Sequence, residues 1–547
     1  MIPARPRRVG VGGDLLGMSL LPRADDVACR SGETVKFLTA SHQLWQVNEV
    51  NKLIWPSEGA IGMVEADAWD QTVQLESARR EVDFGPSHGA QVGRNPLLGE
   101  GFWEGGVMTS DFRGDGELAR SLDRTHVFHS WSAQATLDPF AIAGGLGSEV
   151  WDFDGNTFLD FASQLVNVNI GHRHPGVVAA IQAQVDVLPT VAPANANLTR
   201  GQAARAIVGH APPAMSKVFF TNGGADANEN AIRMARLHTG RDKVLSTYRS
   251  YHGNTGAAVV ATGDWRRVPN EYARGHVHFF GPYLYRSEFW ATSPEQECER
   301  ALRHLERVIQ AEGADSIAAI LLETVVGTGG VLIPPPGYLP GVRALADTYG
   351  ILLILDEVMA GFGRTGAWFA FDHFGVRPDL ITFAKGVNSG YVPVGGVIIA
   401  DEIAATFDHR VFPGGLTYSG HPLAMASIVA ALTAMQDEGI VANAARIGTD
   451  VLAPGLAGLA DRHPLIGQVR GLGVFWALEL VTDQGTRAPV PAAVMGQLKR
   501  ELMARHLLPF VADNRIHVVP PCVVTDDEVA RALAIYDEAF TAVEPHL

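Results

Sequence analysis

Five short stretches of this 547-residue chain hold chemically capable residues, most of them just after apolar runs. Asn222-Gly223-Gly224-Ala225-Asp226 follows Val218-Phe219-Phe220-Thr221 and opens a helical pattern reaching about Thr239. Two glycines let backbone come close to a ligand, and unpaired N–H groups at a helix start favour an anion such as phosphate. The same residues also read as a plain strand–helix turn capped by Asp226. Asp356-Glu357 ends Ile351–Leu355, the most apolar run in the chain. A carboxylate there is partly desolvated and needs a partner, for which a protonated pyridine nitrogen is suited; otherwise it caps a turn. Lys385 ends Leu380–Ala384. Its amine either reaches for water along the apolar surface or loses its proton and serves as a nucleophile, with Gly386 leaving room for a planar ligand. Tyr251-His252-Gly253 offers an aromatic ring for stacking or for ordinary packing, and Thr417-Tyr418-Ser419-Gly420-His421 is a polar run that also reads as a solvated loop.

A reactive lysine, an acid for a pyridinium nitrogen and a phosphate cradle together describe a site for pyridoxal 5'-phosphate (PLP). The elements that must position these groups alternate between strand and helix. Strands are expected at 217–222, 244–248, 317–323, 351–356, 380–384 and 394–400, with helices from 224 to about 239 and from 338 to 349. Continuous apolar runs of this kind suit a mostly parallel sheet covered on both faces, where ligands sit beyond the carboxyl ends of the strands. Two short strands flank an Asp154-Gly155-Asn156 turn. A long Ala-rich helix follows Pro422, and about the last hundred residues read as a smaller α+β unit. Glu295–Glu312 has the pattern of an amphipathic helix with a charged solvent face.

Composition narrows the classes further. The formal net charge of −16 lacks the basic footprint of nucleic-acid binding. Cys29, Cys298 and Cys522 are widely spaced and odd in number, against a disulfide framework or zinc site and consistent with a reducing cytoplasm. No apolar run reaches membrane-spanning length, and Gly, Asp and Pro spoil the N-terminus as a signal peptide. His172 and His174, and His276 and His278, have no second cluster at ligand spacing and are expected to be surface or turn histidines, with no metal bound.

From about Arg124 to its end the chain resembles class III PLP-dependent aminotransferases of fold type I, similar to the ω-amino acid–pyruvate and taurine–pyruvate enzymes. The resemblance rests on FFTNGGADANENAIRMAR, YRSYHGNTGA, ILLILDEVMAGFGRTG, DLITFAKGVNSGYVPVGG and TYSGHPLA, in that order. It implies an α/β fold with a mostly parallel seven-stranded sheet flanked by helices in a large domain, and a smaller α+β domain from the chain ends. The implied division is an N-terminal part of the small domain over 108–170, the large PLP-binding domain over 171–425, and the remaining small domain over 426–547. It implies Lys385 as the Schiff-base and proton-shuttling lysine and Asp356 as partner of the pyridinium nitrogen. Val358 and Tyr251 would lie on opposite ring faces, with His252 beside them, and Gly223, Gly224 and Ala225 along the phosphate. Glu323 would lie near the phenolic edge or the substrate. Thr417 would reach the phosphate of a neighbouring subunit, implying a homodimer with shared sites. Trp131 matches a substrate-pocket aromatic. The implied reaction carries an amino group from an ω-amino acid or related amine to a keto acid, pyruvate, by a ping-pong mechanism.

The chain departs from the family in places. Gly223-Gly224-Ala225-Asp226 stands where Ser-Gly-Ser-Glu is common, removing a hydroxyl donor. Thr324 follows Glu323 where proline is usual, and His517 occupies a position where some members hold a carboxylate with arginine; Arg515, two residues earlier, is a candidate for that task. A decarboxylase, aminomutase or epimerase would share Lys385 and Asp356, and a PLP-binding protein without turnover is a further alternative. Residues 1–107 show weak periodicity and read as a small accessory domain, a disordered extension or a segment upstream of a true start at Met108.

Overall fold

Ile317–Glu323 is apolar at successive positions, as suits a strand covered on both faces, and all seven of its residues are buried. It is central to a seven-stranded sheet made of β1 (Lys217–Thr221), β2 (Lys243–Thr247), β3 (His276–Phe279), β4 (Ile317–Glu323), β5 (Leu352–Asp356), β6 (Leu380–Phe383) and β7 (Gly395–Ile399). The spatial order is β3-β2-β4-β5-β6-β7-β1. Strands β3, β2, β4, β5 and β6 pair in parallel, whereas β7 runs antiparallel to both of its neighbours. The computed structural model describes residues 115–271 and 273–546, plus the backbone of five short strands nearer the N-terminus.

Six of the seven strands match the runs expected from apolarity. The seventh, β3, contains the His276 and His278 expected in turns or at the surface. Both are partly buried on this edge strand, and Phe279 beside them is fully buried. Two histidines separated by one valine hid a strand that is only half apolar.

Helix α1 (Gly224–Thr239) buries Ala227, Ala231, Met234 and Ala235, the three-to-four spacing of one helical face, and stops at Gly240 in the left-handed conformation (φ 70°). Asn228 lies on the same buried face. The amphipathic helix forms over Pro294–Glu312, and the Ala-rich one over Pro422–Asp437. Among the described residues no single helix is long and apolar enough to cross a membrane.

Two smaller sheets come from the parts of the chain before and after this core. Ile142–Leu146, Glu149–Asp152 and Thr157–Asp160 form an antiparallel meander, and Leu507–Leu508 pairs alongside Thr157–Asp160. Ile466–Leu472, Phe475–Asp483, Arg515–Val518 and Phe510–Ala512 form the other. The fully buried Arg364 links distant segments: its guanidinium donates to Asn169 Oδ1 at 2.7 Å, Ser163 Oγ at 3.2 Å and the Pro520 carbonyl.

The chain divides into two compact units, Met1–Phe102 and Trp103–Leu547. In the first, Cys29–Ser31, Thr34–Leu38 and Leu44–Gln46 form one antiparallel sheet, and Lys52–Ser57 pairs antiparallel with Ala60–Glu65. The rest of residues 1–107, and with it the question of a start at Met108, lies outside the described residues.

Candidate active site

The ends of four neighbouring strands bring the candidate residues together. Glu323 and Asp356 are register partners across β4 and β5, and Asp356 pairs in turn with Thr382 of β6. Two residues beyond the end of β6 stands Lys385, whose backbone is left-handed (φ 45°), a conformation a lysine adopts only where its surroundings impose it. A cavity of about 320 Å³ at these ends is lined by Gly223, Gly224, Ala225, His252, Val358 and Lys385, with Tyr251, Glu323 and Asp356 also on its wall.

Asp356 and Glu357 divide the two readings of their motif between them. Asp356 Oδ2 meets His252 Nδ1 at 2.8 Å and accepts from Asn228 Nδ2 at 2.7 Å, while Oδ1 accepts from the Val358 amide at 3.0 Å. Glu357 points the other way. It accepts from the amides of Ala370 (2.8 Å) and Phe371 (3.2 Å) and from the Thr324 hydroxyl, so it caps the turn Ala370–Phe374. Burial pushes its carboxyl up to about 8. Thr324 therefore has its own task here, binding Glu357.

Glu323 accepts from the Tyr251 amide at 2.9 Å and the Gly327 amide at 2.8 Å, which pins the Tyr251 loop to the end of β4. Burial pushes Glu323 up to about 7, partly offset by His252. The Lys385 amine moves the opposite way: burial pulls it down to about 8, with Asp356 and Glu323 opposing the shift. A lysine so placed loses its proton far more readily than one in water.

The two glycines of the cradle work by close approach. Gly223 is extended (φ 177°), so no left-handed turn requires it. A Cβ on Gly224 would lie 2.9 Å from both Val358 methyl carbons, which shows how tightly α1 meets the residue on the cavity floor. By helix geometry the first amides of α1 have no intrahelical acceptor, and Gly224 and Ala225, which carry two of them, line the cavity. A second cavity, of about 580 Å³, shares Tyr251, Met359 and Lys385 with the first and extends to Trp131, Arg286 and Arg515. Trp131 meets Tyr251 edge to face, with ring centroids 6.3 Å apart. Arg515 lines this cavity and pairs with the exposed Asp513 at 2.6 Å. His517 does not line either cavity; it is fully buried, and burial, reinforced by Arg515 and Arg470, pulls its imidazole down to about 3. It is neutral and holds no anion. Thr417 is exposed and lies off the cavity walls of its own chain.

Two contributors were missed from sequence. Asn228 bridges the Asp356 carboxylate, the His252 carbonyl (2.8 Å) and the Thr382 hydroxyl (2.7 Å). Its signal was an asparagine four residues after Gly224 on an otherwise apolar helix face. Arg266 places its guanidinium carbon 3.8 Å from the Tyr251 ring centroid and pairs with Asp264. Nothing local in Asp-Trp-Arg-Arg foretold that contact.

These residues fit PLP. A carboxylate held by three neighbours, a lysine of lowered basicity and a helix start with no side chain at Gly224 all line the one cavity.

The family model described as aminotransferase class-III matches residues 132–540. The taurine–pyruvate aminotransferase of Rhodobacter capsulatus is 34% identical over 446 residues, covering 77% of this chain and 96% of that protein. The putrescine–pyruvate aminotransferase of Pseudomonas aeruginosa is 35% identical over 408 residues, covering 71% of this chain and 88% of that one. Among solved structures, the taurine:2-oxoglutarate aminotransferase of Bifidobacterium kashiwanohense, in complex with PLP and glutamate, superimposes with a TM-score of 0.77 at 42% identity, over 79% of this chain and 99% of that one.

Proposed function

The chain belongs to the class III aminotransferases, PLP-dependent enzymes of fold type I, and we propose that it carries the amino group of an ω-amino acid or related amine, of the taurine, β-alanine or 4-aminobutyrate type, to pyruvate by a ping-pong mechanism. The observation that carries this reading is one cavity shared by Lys385, Trp131 and Arg515. It places an amine nucleophile, a flat wall and a guanidinium around one small substrate. The names of the relatives from R. capsulatus and P. aeruginosa support pyruvate as acceptor.

When bound, PLP supplies an aldehyde that takes up the amino group and a ring that accepts electrons as a proton leaves carbon. The chain does the rest. Lys385 would hold the cofactor through Nζ, and its free amine would move the proton off carbon and back as general base and acid. Asp356, held by His252, Asn228 and the Val358 amide, would keep a proton on the ring nitrogen of the bound cofactor. Tyr251 and Val358 would bound the ring faces, Gly223, Gly224 and Ala225 would hold the phosphate, and His252 and Glu323 would position these groups; all of them line one cavity. Trp131 and Arg515 bind substrate.

Thr417 serves the site of a second copy, which supports a homodimer; its exposure, away from its own cavity, favours this. Residues 108–170 and 426–547 form the small domain around the large one, 171–425, and the enzyme works in the cytoplasm. Adding taurine, β-alanine, 4-aminobutyrate or putrescine to the yellow protein should bleach its visible band, and pyruvate should restore it with one alanine formed per cycle. A band that no amine bleaches would overturn the transaminase reading. Sedimentation of Thr417→Ala beside wild type, with PLP affinity measured on both, tests the shared site. An affinity unchanged in an intact dimer would remove Thr417 from it.

A further inference from the structure

Glu323 belongs to the walls of two cavities. One is the cofactor cavity; the other is a third and smaller one, of about 40 Å³. At roughly 10–15 Å³ per water, this space has room for about three waters and for no amine or keto acid. Its wall runs inward from the exposed rings of Tyr248 and Phe280 to Thr247, Glu323 and Tyr338, which are 5%, 7% and 3% exposed. Thr247 ends β2 and Glu323 ends β4, the strand beside it, while Tyr338 opens the helix Tyr338–Tyr349. Arg249, paired with Glu288 at 2.9 Å, stands on the wall that this cavity shares with the substrate cavity.

Two groups at the buried end need a polar occupant. The hydroxyls of Thr247 and Tyr338 are both buried and have no hydrogen-bond partner among the described residues. A buried hydroxyl without a partner is costly, and ordered water is the usual remedy where there is space. The third hydroxyl on this wall, that of Thr324, is already given to Glu357. Glu323 accepts one amide on each oxygen, Tyr251 on Oε1 and Gly327 on Oε2, so each oxygen keeps a lone pair for water.

We propose that this third cavity is a water-filled shaft through which Glu323 exchanges protons with solvent, apart from the path that the donor takes. A proton passes from water to a carboxylate oxygen of Glu323, and the carboxyl can return it to water. Across the wall, Lys385 is the base that Glu323 can supply: carboxyl and free amine become carboxylate and ammonium. That last use rests on the transaminase reading, in which Lys385 must gain and lose protons while a donor fills the substrate cavity. The shaft reaches Glu323 even then.

Infrared difference spectra of the full-length protein, mixed rapidly from H2O into D2O, read the exchange at one residue. Burial pushes the Glu323 carboxyl up to about 7, so at a pD of about 6 it is largely protonated. Its carbonyl band, identified by its loss in Glu323→Gln, shifts as deuterium arrives. Two forms are compared, one free of cofactor and one with PLP fixed on Lys385 by borohydride, which fills the cofactor cavity. Wild type should exchange equally fast in both. Thr247→Val with Tyr338→Phe removes both hydroxyls, and Gly281→Val brings a Cβ 3.1 Å from Thr247 Cγ2 on the shaft wall. Each should slow exchange in the PLP-fixed form by about tenfold or more. A wild-type rate that falls when PLP is fixed, or variants as fast as wild type in that form, overturns the shaft. A spectrum with no band lost in Glu323→Gln overturns exchange at Glu323. If Gly281→Val fails to fold, the double variant decides. A high-resolution crystal structure should show ordered water on both hydroxyls, and a dry cavity there overturns the proposal. A chain that takes up no PLP would sink the transaminase reading instead, and the waters in the crystal then decide the shaft.

Discussion

His252 Nδ1 and Asp356 Oδ2 lie 2.8 Å apart, and the opposite ring nitrogen of His252 has no partner among the described residues. An ionised carboxylate only accepts, so the proton of this contact belongs to the histidine, and Asp356 faces the cavity as a fixed negative charge. Asp356→Asn keeps the shape and removes the charge. We expect the protein to bind PLP and colour, but to convert with an amine donor about a hundredfold or more slowly, as for loss of a preorganised electrostatic partner. Stopped-flow bleaching measures this, and an unchanged rate would remove Asp356 from the chemistry.

The lowered basicity of Lys385 sets the pH range in which the cofactor-free chain recaptures PLP. Its amine is protonated below about 8 and free above it. Only the free amine attacks an aldehyde, so the second-order rate of recapture should climb about tenfold per pH unit and level off above about 8. An unperturbed lysine would keep climbing toward about 10.4. A continued rise past pH 9 or so would contradict the buried amine.

Gly224→Ala sets a methyl group against Val358, whose methyl carbons are 2.9 Å from the new atom. Overpacking of this kind costs about 1–3 kcal/mol. We expect a lower melting temperature together with weaker PLP retention, and Val358→Ala added to Gly224→Ala should recover most of both. If the two substitutions add independently, the contact does not control the cradle.

His517 and His276, each pulled down to about 3 by burial, also shape acid stability. In the unfolded chain they take up protons near pH 6.5, whereas the folded chain resists until about 3. Each histidine therefore costs folding stability as pH falls through this window, by at most about 1.4 kcal/mol per pH unit, and has no effect above it. His517→Phe should flatten the fall in melting temperature between about pH 6 and pH 4. A variant as acid-sensitive as wild type would show that His517 protonates in the folded state.

The parts legible in the sequence are those encoded locally. Apolar runs marked six of the seven strands, and the polar residue at the end of each pointed to Asp356 and Lys385. The helix after Gly224 was legible from its spacing. What was not legible depends on contacts between distant segments. Arg470 and Arg515 are 45 positions apart and are brought together by Gly330 from a third segment. Arg266 reaches Tyr251 across a turn, and β3 alternates histidine with apolar residues because it lies at a sheet edge. Glu357 could not be told from Asp356 by composition; only the turn at Ala370–Phe374 separates a cap from a cavity wall.

The side-by-side register of Glu323 and Asp356 ties catalysis to the correctness of folding itself. Side chains alternate across a sheet, so a slip of one residue between β4 and β5 would turn one of these carboxylates to the opposite face and leave its charge without donors. A chain trapped in that state would lack the acid proposed to partner the pyridine nitrogen, and we expect it to hold PLP poorly. Colour in the purified protein is therefore an assay of strand alignment as well as of cofactor content.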